Sequence, residues 1–355
     1  MKKKATPKKA SPAKKSPPAK KSSSPKKSAT PKKSSPVGIS APPPAVPPTA
    51  NSAGTAPVPP TRKCGTMIVH NRLIEQHPNF RQALVNIERG VARRMALGLA
   101  ARAGAPTTIP VVVHVVFKLP AENISDAQVK SQIAALNKDY SATNTDKSKT
   151  PAPWKGLVSS ANIQFVLATK DPKGKATTGI IRTQTTKTSF SDDDGVKLAS
   201  KGGAPAWPTD KYLNIWVCTL GGGLLGYAQF PGGPVATDGV VILNVAFGTT
   251  GTAKPPFNLG RSATHEVGHW LNLRHIWGDT EHCEGSDFVA DTPKAQLPNF
   301  GKPVFPHVTC NNGPNGDMFV NYMDYVDDDT MVMFTTGQVT RMTATLEGPR
   351  SKLGK

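Results

Sequence analysis

Eleven consecutive residues, His265-Glu266-Val267-Gly268-His269-Trp270-Leu271-Asn272-Leu273-Arg274-His275, constrain this chain more than any other stretch. On a helix, His265 and His269 fall one turn apart on the same face, with Glu266 beside them. Such a helix must stop soon after His269 if His275 is to swing back to the same point. Three neutral imidazoles and one acid at these spacings suit a zinc ion that keeps one coordination position open for water. The metal would lower that water's pKa to about 7. Glu266 would take its proton during attack on a peptide carbonyl and hand it to the leaving amine. A helix with incidental histidines is the competing reading of these residues alone.

Two further runs favour the metal site. One is Asn321-Tyr322-Met323-Asp324-Tyr325, and the other is Phe334-Thr335-Thr336-Gly337-Gln338-Val339-Thr340-Arg341-Met342. Together with Leu224-Leu225-Gly226-Tyr227-Ala228-Gln229-Phe230-Pro231-Gly232-Gly233, they resemble the metzincin zinc peptidases of the pappalysin type (cytophagalysins) over roughly residues 64 to 345. The chain departs from the long metzincin motif at Asn272, where the pattern has Gly. Asn is the residue after Gly that best tolerates the left-handed conformation required there.

The resemblance implies an α/β fold: a twisted, mostly parallel five-stranded sheet with an antiparallel edge strand. A backing helix, an active-site helix and a loop-rich C-terminal subdomain would complete it. It also implies Zn2+ on His265, His269 and His275, Met323 as an apolar floor, and Tyr325 as a phenol aimed at the metal or the developing oxyanion. The loop holding Asp287, Asp291 and Thr292 resembles a Ca2+ site of hard oxygen ligands, although such loops are also common as solvated turns. Cys283 and Cys310 are expected by resemblance to form a disulfide, which would indicate an oxidising compartment. A second bridge is absent, because Thr330 stands where one partner belongs.

Charge is distributed unevenly. The first 36 residues hold 13 of the 44 Lys and Arg and no acid, leaving 31 basic residues against 24 acidic ones in the remainder. The net charge of +20 is therefore largely a property of this tail. Residues 1–60, rich in Lys, Pro and Ala, cannot bury enough apolar surface to offset their ordering entropy and are expected to be disordered. A mobile polycation over 1–36 would contact polyanions or nucleic acid, but without aromatic residues it has nothing to stack on bases. No apolar run is long enough to span a membrane. No apolar core follows the basic residues 2–15, so a standard secretory signal is not expected, although the family resemblance implies an exported protein.

Behind the tail, residues 61–106 read as helical and resemble a pro-region. Leu73, Ile74, Phe80, Leu84, Ile87, Val91 and Met95 recur at helical spacing, ahead of an Ala/Gly connector. The catalytic domain is expected over 107–350. Val111 to Phe117 reads as a central strand containing a packed core histidine, His114. Ser125 is expected to cap the next helix. Residues 163–168, 180–183, 212–219 and 239–245 read as strands, and Leu224 to Phe230 as an exposed edge strand. The active-site helix is expected from about Leu259 to Leu273. Asp327-Asp328-Asp329 reads as a solvated acidic face.

A peptide could add to the exposed edge as an antiparallel strand and so hold its scissile bond over the metal. That favours a zinc metalloendopeptidase acting on proteins or peptides, expected as a monomer. The alternatives are a catalytically silent binding protein on the same fold, or a polyanion-binding protein acting through its tail. Cys218 is expected to be a buried thiol. Cys64 precedes the catalytic domain and could occupy the water's position on zinc, holding the enzyme latent. A Cys64–Cys218 disulfide and a free thiol are the alternatives.

Overall fold

A computed structural model describes residues 61–97 and 104–353. The basic tail and most of the Ala/Gly connector lie outside the described residues. The first two elements are α1 (Thr66–Gln76) and α2 (Pro78–Ala96). The helical periodicity continues from one to the other, yet the chain breaks at His77, which takes an extended conformation (φ −130°, ψ 90°). Pro78 is the reason: its ring disfavours helical geometry in the preceding residue, while its own lack of an N–H costs nothing in the first turn of α2.

The sheet is built around β1 (Thr107–Phe117), which is buried on both faces. After it come α3 (Asp126–Tyr140), β2 (Ile163–Leu167), β3 (Ile180–Gln184), β4 (Leu213–Cys218), β5 (Gly226–Ala228) and β6 (Val240–Leu243). Strands β2 and β3 share one edge of β1, pairing with its first and second halves. Six strands thus occupy five positions, in the order β2/β3, β1, β4, β6, β5. All pairings are parallel except β5 with β6. Ser125 caps α3 by accepting the Gln128 N–H at 3.1 Å.

Alternation along the strands divides the core. Val111, Val113, Val115, Ile215, Val217 and Ile242 pack against α3 and against α4 (Arg261–Trp270). Val116, Trp216, Cys218 and Val241 face the other way, and Val69, Leu73, Phe80 and Leu84 of the first two helices join that cluster. His114 is a core residue, stacked on Trp216 with its Nε2 at 2.9 Å from Asn214 Oδ1. Beyond α4 the chain is mostly loop, with a short pair of strands, β7 (Phe300–Gly301) and β8 (Tyr325–Val326), before α5 (Thr336–Glu347). The Cys283–Cys310 disulfide closes this region. Cys64 and Cys218 are unpaired, so no bridge joins them.

Three expectations need correction. The edge strand is shorter than Leu224–Phe230, and it is buried, because Lys63 and Gly65 hydrogen-bond to it. The active-site helix starts at Arg261, where Gly260 (φ 80°) turns the chain in, and ends at Trp270. Asp328 is fully buried rather than part of a solvated face.

Candidate metal centre

Helix α4 ends where the metal geometry requires it. Asn272 adopts φ 72°, the Leu273 N–H bonds back to the Gly268 carbonyl at 2.9 Å, and the Asn272 N–H bonds to the His269 carbonyl at 2.8 Å. This left-handed C-terminal turn satisfies the last carbonyls and reverses the chain. Arg341 donates to the Asn272 carbonyl from Nε (3.3 Å) and Nη2 (3.1 Å), fixing the turn from α5. His275 is thereby returned to the face of α4 that carries His265 and His269.

The three Nε2 atoms lie 3.1 Å (His265–His269), 3.0 Å (His269–His275) and 3.3 Å (His265–His275) apart. Ligands about 2.0–2.1 Å from a tetrahedral zinc would be separated by about this distance. Each Nδ1 has an acceptor: the Tyr322 carbonyl at 2.7 Å, the Leu273 carbonyl at 2.8 Å and Asp279 Oδ1 at 2.5 Å, for His265, His269 and His275 respectively. Those partners assign the proton to Nδ1 and aim three lone pairs at one point, where only a cation makes their closeness favourable. Burial, reinforced by His275, pushes the pKa values of His265 and His269 far below the usual imidazole range, so both stay neutral.

Met323 lies beneath this group, fully buried. Its Sδ would sit only 2.5 Å from a Cβ placed on Gly268, so the glycine inside the motif is a packing requirement. The rings of His265 and His275 lie 5.7 and 5.0 Å from that of Tyr325. Burial, and then the nearby Cys64 and Glu266, keep the Tyr325 phenol protonated.

The N-terminal segment reaches into the centre. Cys64 joins His265, His269 and His275 as a set of ligand atoms that all lie within 4.8 Å of one another. Cys64 Sγ is 3.4 Å from Glu266 Oε2, and the Thr66 hydroxyl donates to the same oxygen at 2.8 Å. Glu266 is buried, which raises its pKa to about 7 despite these hydrogen bonds and the positive charge of Arg62. The segment runs in the same direction as β5: the Leu225 N–H bonds to the Lys63 carbonyl and the Gly65 N–H to the Gly226 carbonyl, both at 2.9 Å. Arg62 is buried as well. Its Nη2 contacts Asp328 Oδ1 at 2.7 Å, while the Leu259 and Arg261 N–H groups occupy Asp328 Oδ2.

The proposed calcium loop uses its carboxylates differently. Asp287 accepts from the Val289 N–H (3.0 Å) and the Thr292 hydroxyl (2.7 Å). Asp291 turns away to the start of α5, accepting from the Thr335 hydroxyl and the Gly337 N–H.

Several participants have no local signature in the sequence. Arg62 meets Asp328 across 266 residues, and Thr66 meets Glu266 across 200. Asp139 on α3 accepts from the Thr264 and Tyr322 hydroxyls and pairs with Arg261, tying the start of α4 to the Met323 turn. Asp279 was the most findable, since an acid four residues after a histidine ligand is well placed to orient it.

Comparison with known proteins agrees with this geometry. The family model described as pregnancy-associated plasma protein-A matches residues 200–347. An extracellular metalloprotease of Pyricularia oryzae is 35% identical over 257 residues, 69% of this chain and 77% of the relative. The chain belongs to the pappalysin-type metallopeptidase family. A relative from Arthroderma benhamiae, also named an extracellular metalloprotease, is 33% identical over 244 residues, 66% of this chain and 76% of its own length. Among solved structures, a mutant of Tannerella forsythia promirolysin superposes with a TM-score of 0.74 at 44% identity, covering 82% of this chain and 96% of that one. Mature mirolysin from the same organism, in complex with a cleaved peptide, gives 0.67 at 48% identity, covering 71% and 100%. The fold is the metzincin fold, and the chain is a zinc-dependent endopeptidase of this family. No helix among the described residues is long and apolar enough to cross a membrane.

Proposed function

We propose that this chain is the latent form of an exported zinc endopeptidase, with residues 61–106 as an inhibitory pro-segment and 107–350 as the catalytic domain. The observation that carries this reading is the position of Cys64 Sγ over the three imidazoles, on a strand running parallel to β5. A substrate added antiparallel to the same edge would run in the opposite direction, so the segment fills the cleft without presenting a cleavable bond in the productive orientation. Coverage by the two mirolysin forms supports the division. The pro-form matches 82% of this chain and the mature form 71%, a difference of about 39 of its 355 residues.

His265, His269 and His275 would hold zinc, and in the latent state the Cys64 thiolate would be the fourth ligand. Bound zinc supplies a Lewis acid that acidifies a water and polarises the scissile carbonyl. Glu266, freed from Thr66 and Cys64, takes a proton from the attacking water and delivers it to the leaving amine. The Tyr325 phenol, kept protonated, donates to the oxyanion. Met323 keeps the histidine platform rigid.

The way the pro-segment lies also suggests which substrates fit. Arg62 lies toward the Leu225 end of β5, where an antiparallel substrate would place residues following its scissile bond. Removing the pro-segment leaves Asp328 Oδ1 without the cation it now holds. We therefore assign to Asp328 a preference for a basic side chain just after the cleaved bond.

Calcium at 287–292 would need oxygens that now accept protein hydrogen bonds, so zinc is the metal this reading requires. Polyanion contact through residues 1–36 and a monomeric state complete the proposal. The test is cleavage of a denatured protein by the activated enzyme with and without chelator, alongside Glu266→Ala. The variant should bind zinc and cleave nothing. Equal cleavage by the variant would overturn the assignment.

A further inference from the structure

Arg274 sits immediately before His275, and among the described residues its charge has no acidic partner within ion-pair distance. Its guanidinium lies 4.3 Å above the Phe230 ring, and Phe230 in turn packs edge-on against His269 at 5.5 Å. Its Nε is buried with no hydrogen-bond partner. Its one polar contact among the described residues is Met67 Sδ at 3.9 Å. Two carboxylates are close enough to affect it, and both are engaged elsewhere. Asp279 accepts from His275, and Glu88 of α2 accepts from Arg341 (2.9 and 3.1 Å) and from Asn272 Nδ2 (3.1 Å). A half-buried guanidinium left in this state is costly unless a partner arrives in another state of the protein.

Two residues of α1 lie against the Arg274–Phe230 pair. Met67 touches it, and His70 stacks edge-on against the same Phe230 at 5.0 Å. Direction along the cleft follows from the pairing. The N-terminal segment passes Leu225 at Lys63, Gly226 at Gly65, and then Ala228, whose N–H donates to the Thr66 hydroxyl at 2.8 Å. Phe230 and Arg274 lie beyond that end. A peptide running antiparallel to β5 would place the residues that precede its scissile bond there.

We infer that Arg274 is a specificity-determining residue that recognises an acidic side chain upstream of the scissile bond, in a subsite uncovered when α1 departs. The inference rests on the proposed pro-segment and on the orientation of the substrate. The ligand is a carboxylate: a planar guanidinium over an aromatic ring, with its Nε unpartnered and its Nη1 turned only to Met67 Sδ, offers a bidentate fork once Met67 departs. Phe230 would hold the plane of that fork, and the stem of the acidic side chain would replace Met67. Together with the Asp328 pocket, this gives the cleft opposite charge preferences on its two sides.

The full chain, activated by limited proteolysis, is given peptides that differ at a single upstream position as Glu, Gln or Lys, with each upstream position tried in turn. At one position the wild type should favour Glu over Gln in kcat/KM by about tenfold, as expected for a partly exposed charge-assisted contact, with Lys poorest. The Glu-to-Gln ratio should fall to about one in Arg274→Met and invert in Arg274→Glu. Because each ratio is taken within one enzyme preparation, it does not depend on folding yield or zinc loading. A wild type indifferent to charge at every upstream position overturns the inference, and this needs no variant. A preference that persists in Arg274→Met also overturns it. Failure to cleave even the Gln peptides would instead show that the peptidase reading is wrong.

Discussion

The Thr66 hydroxyl donates to Glu266 Oε2 at 2.8 Å and accepts the Ala228 N–H at 2.8 Å, so one side chain of the N-terminal segment joins Glu266 to β5. Thr66→Val leaves both partners buried without their hydrogen bond, at about 1–3 kcal/mol. The uncleaved variant should show measurable peptidase activity where the uncleaved wild type shows little, read with a fluorogenic peptide before any processing band appears. Unchanged latency would remove Thr66 from the inhibitory contact.

Cys64 makes the more direct contact. Cys64→Ala should raise the activity of the uncleaved chain by at least about tenfold, because the removed ligand is worth more than one ordinary hydrogen bond. The same substitution should leave the specific activity of the processed enzyme unchanged, since residue 64 has then departed. No gain in the uncleaved form would count against latency through the thiol.

Asp328 is expected to select substrates. Asp328→Asn should lower kcat/KM for a peptide with Arg after the scissile bond by about a hundredfold, the scale of breaking a buried charge pair. A matched peptide with Leu there should be affected far less. Equal losses on both peptides would show that Asp328 acts on the fold through Leu259 and Arg261 rather than on the substrate.

Gly268→Ala tests the packing under the histidines. A Cβ there meets Met323 Sδ at 2.5 Å, and an overpacked core typically loses about 1–3 kcal/mol. Lower thermal stability and weaker zinc retention should appear together. Gly268→Ala paired with Met323→Ala should recover part of both.

The buried His114 predicts an acid-sensitive fold. Burial lowers its pKa from 6.5 to about 4, so the folded state holds it neutral while the unfolded chain protonates it from pH 6.5 downward. The unfolded state then binds more protons, and stability falls as pH drops from 6.5 to about 4, by about 3 kcal/mol across the window. His114→Gln, which keeps a donor for Asn214, should flatten the pH dependence of the urea midpoint between pH 7 and pH 4.5. An unchanged slope would contradict it.

The parts of the molecule readable from sequence were those encoded in short spacings. His265, Glu266 and His269 needed only a helix, and His275 only a residue that accepts φ 72° at position 272. Val111 to Phe117 was recognisable as a central strand because unbroken apolar runs occur where both faces are covered. Cys64 was readable as a candidate zinc ligand, but the contacts of Arg62 and Thr66 were not. Arg62 and Asp328 are 266 residues apart, and an Asp inside an acidic triplet looks solvated until two backbone N–H groups and a guanidinium are brought to it. For the same reason β5 was expected to be exposed: its partner, residues 63–65, comes from a part of the chain whose sequence shows helical periodicity but no strand.

Zinc K-edge X-ray absorption on the full chain tests the central arrangement most directly. The expected result is one zinc per chain with three nitrogens at about 2.0 Å and one sulfur at about 2.3 Å, and the sulfur replaced by oxygen once the pro-segment has been cleaved and removed. Substoichiometric zinc, or a coordination shell without three nitrogen scatterers and a sulfur in the uncleaved chain, would contradict it.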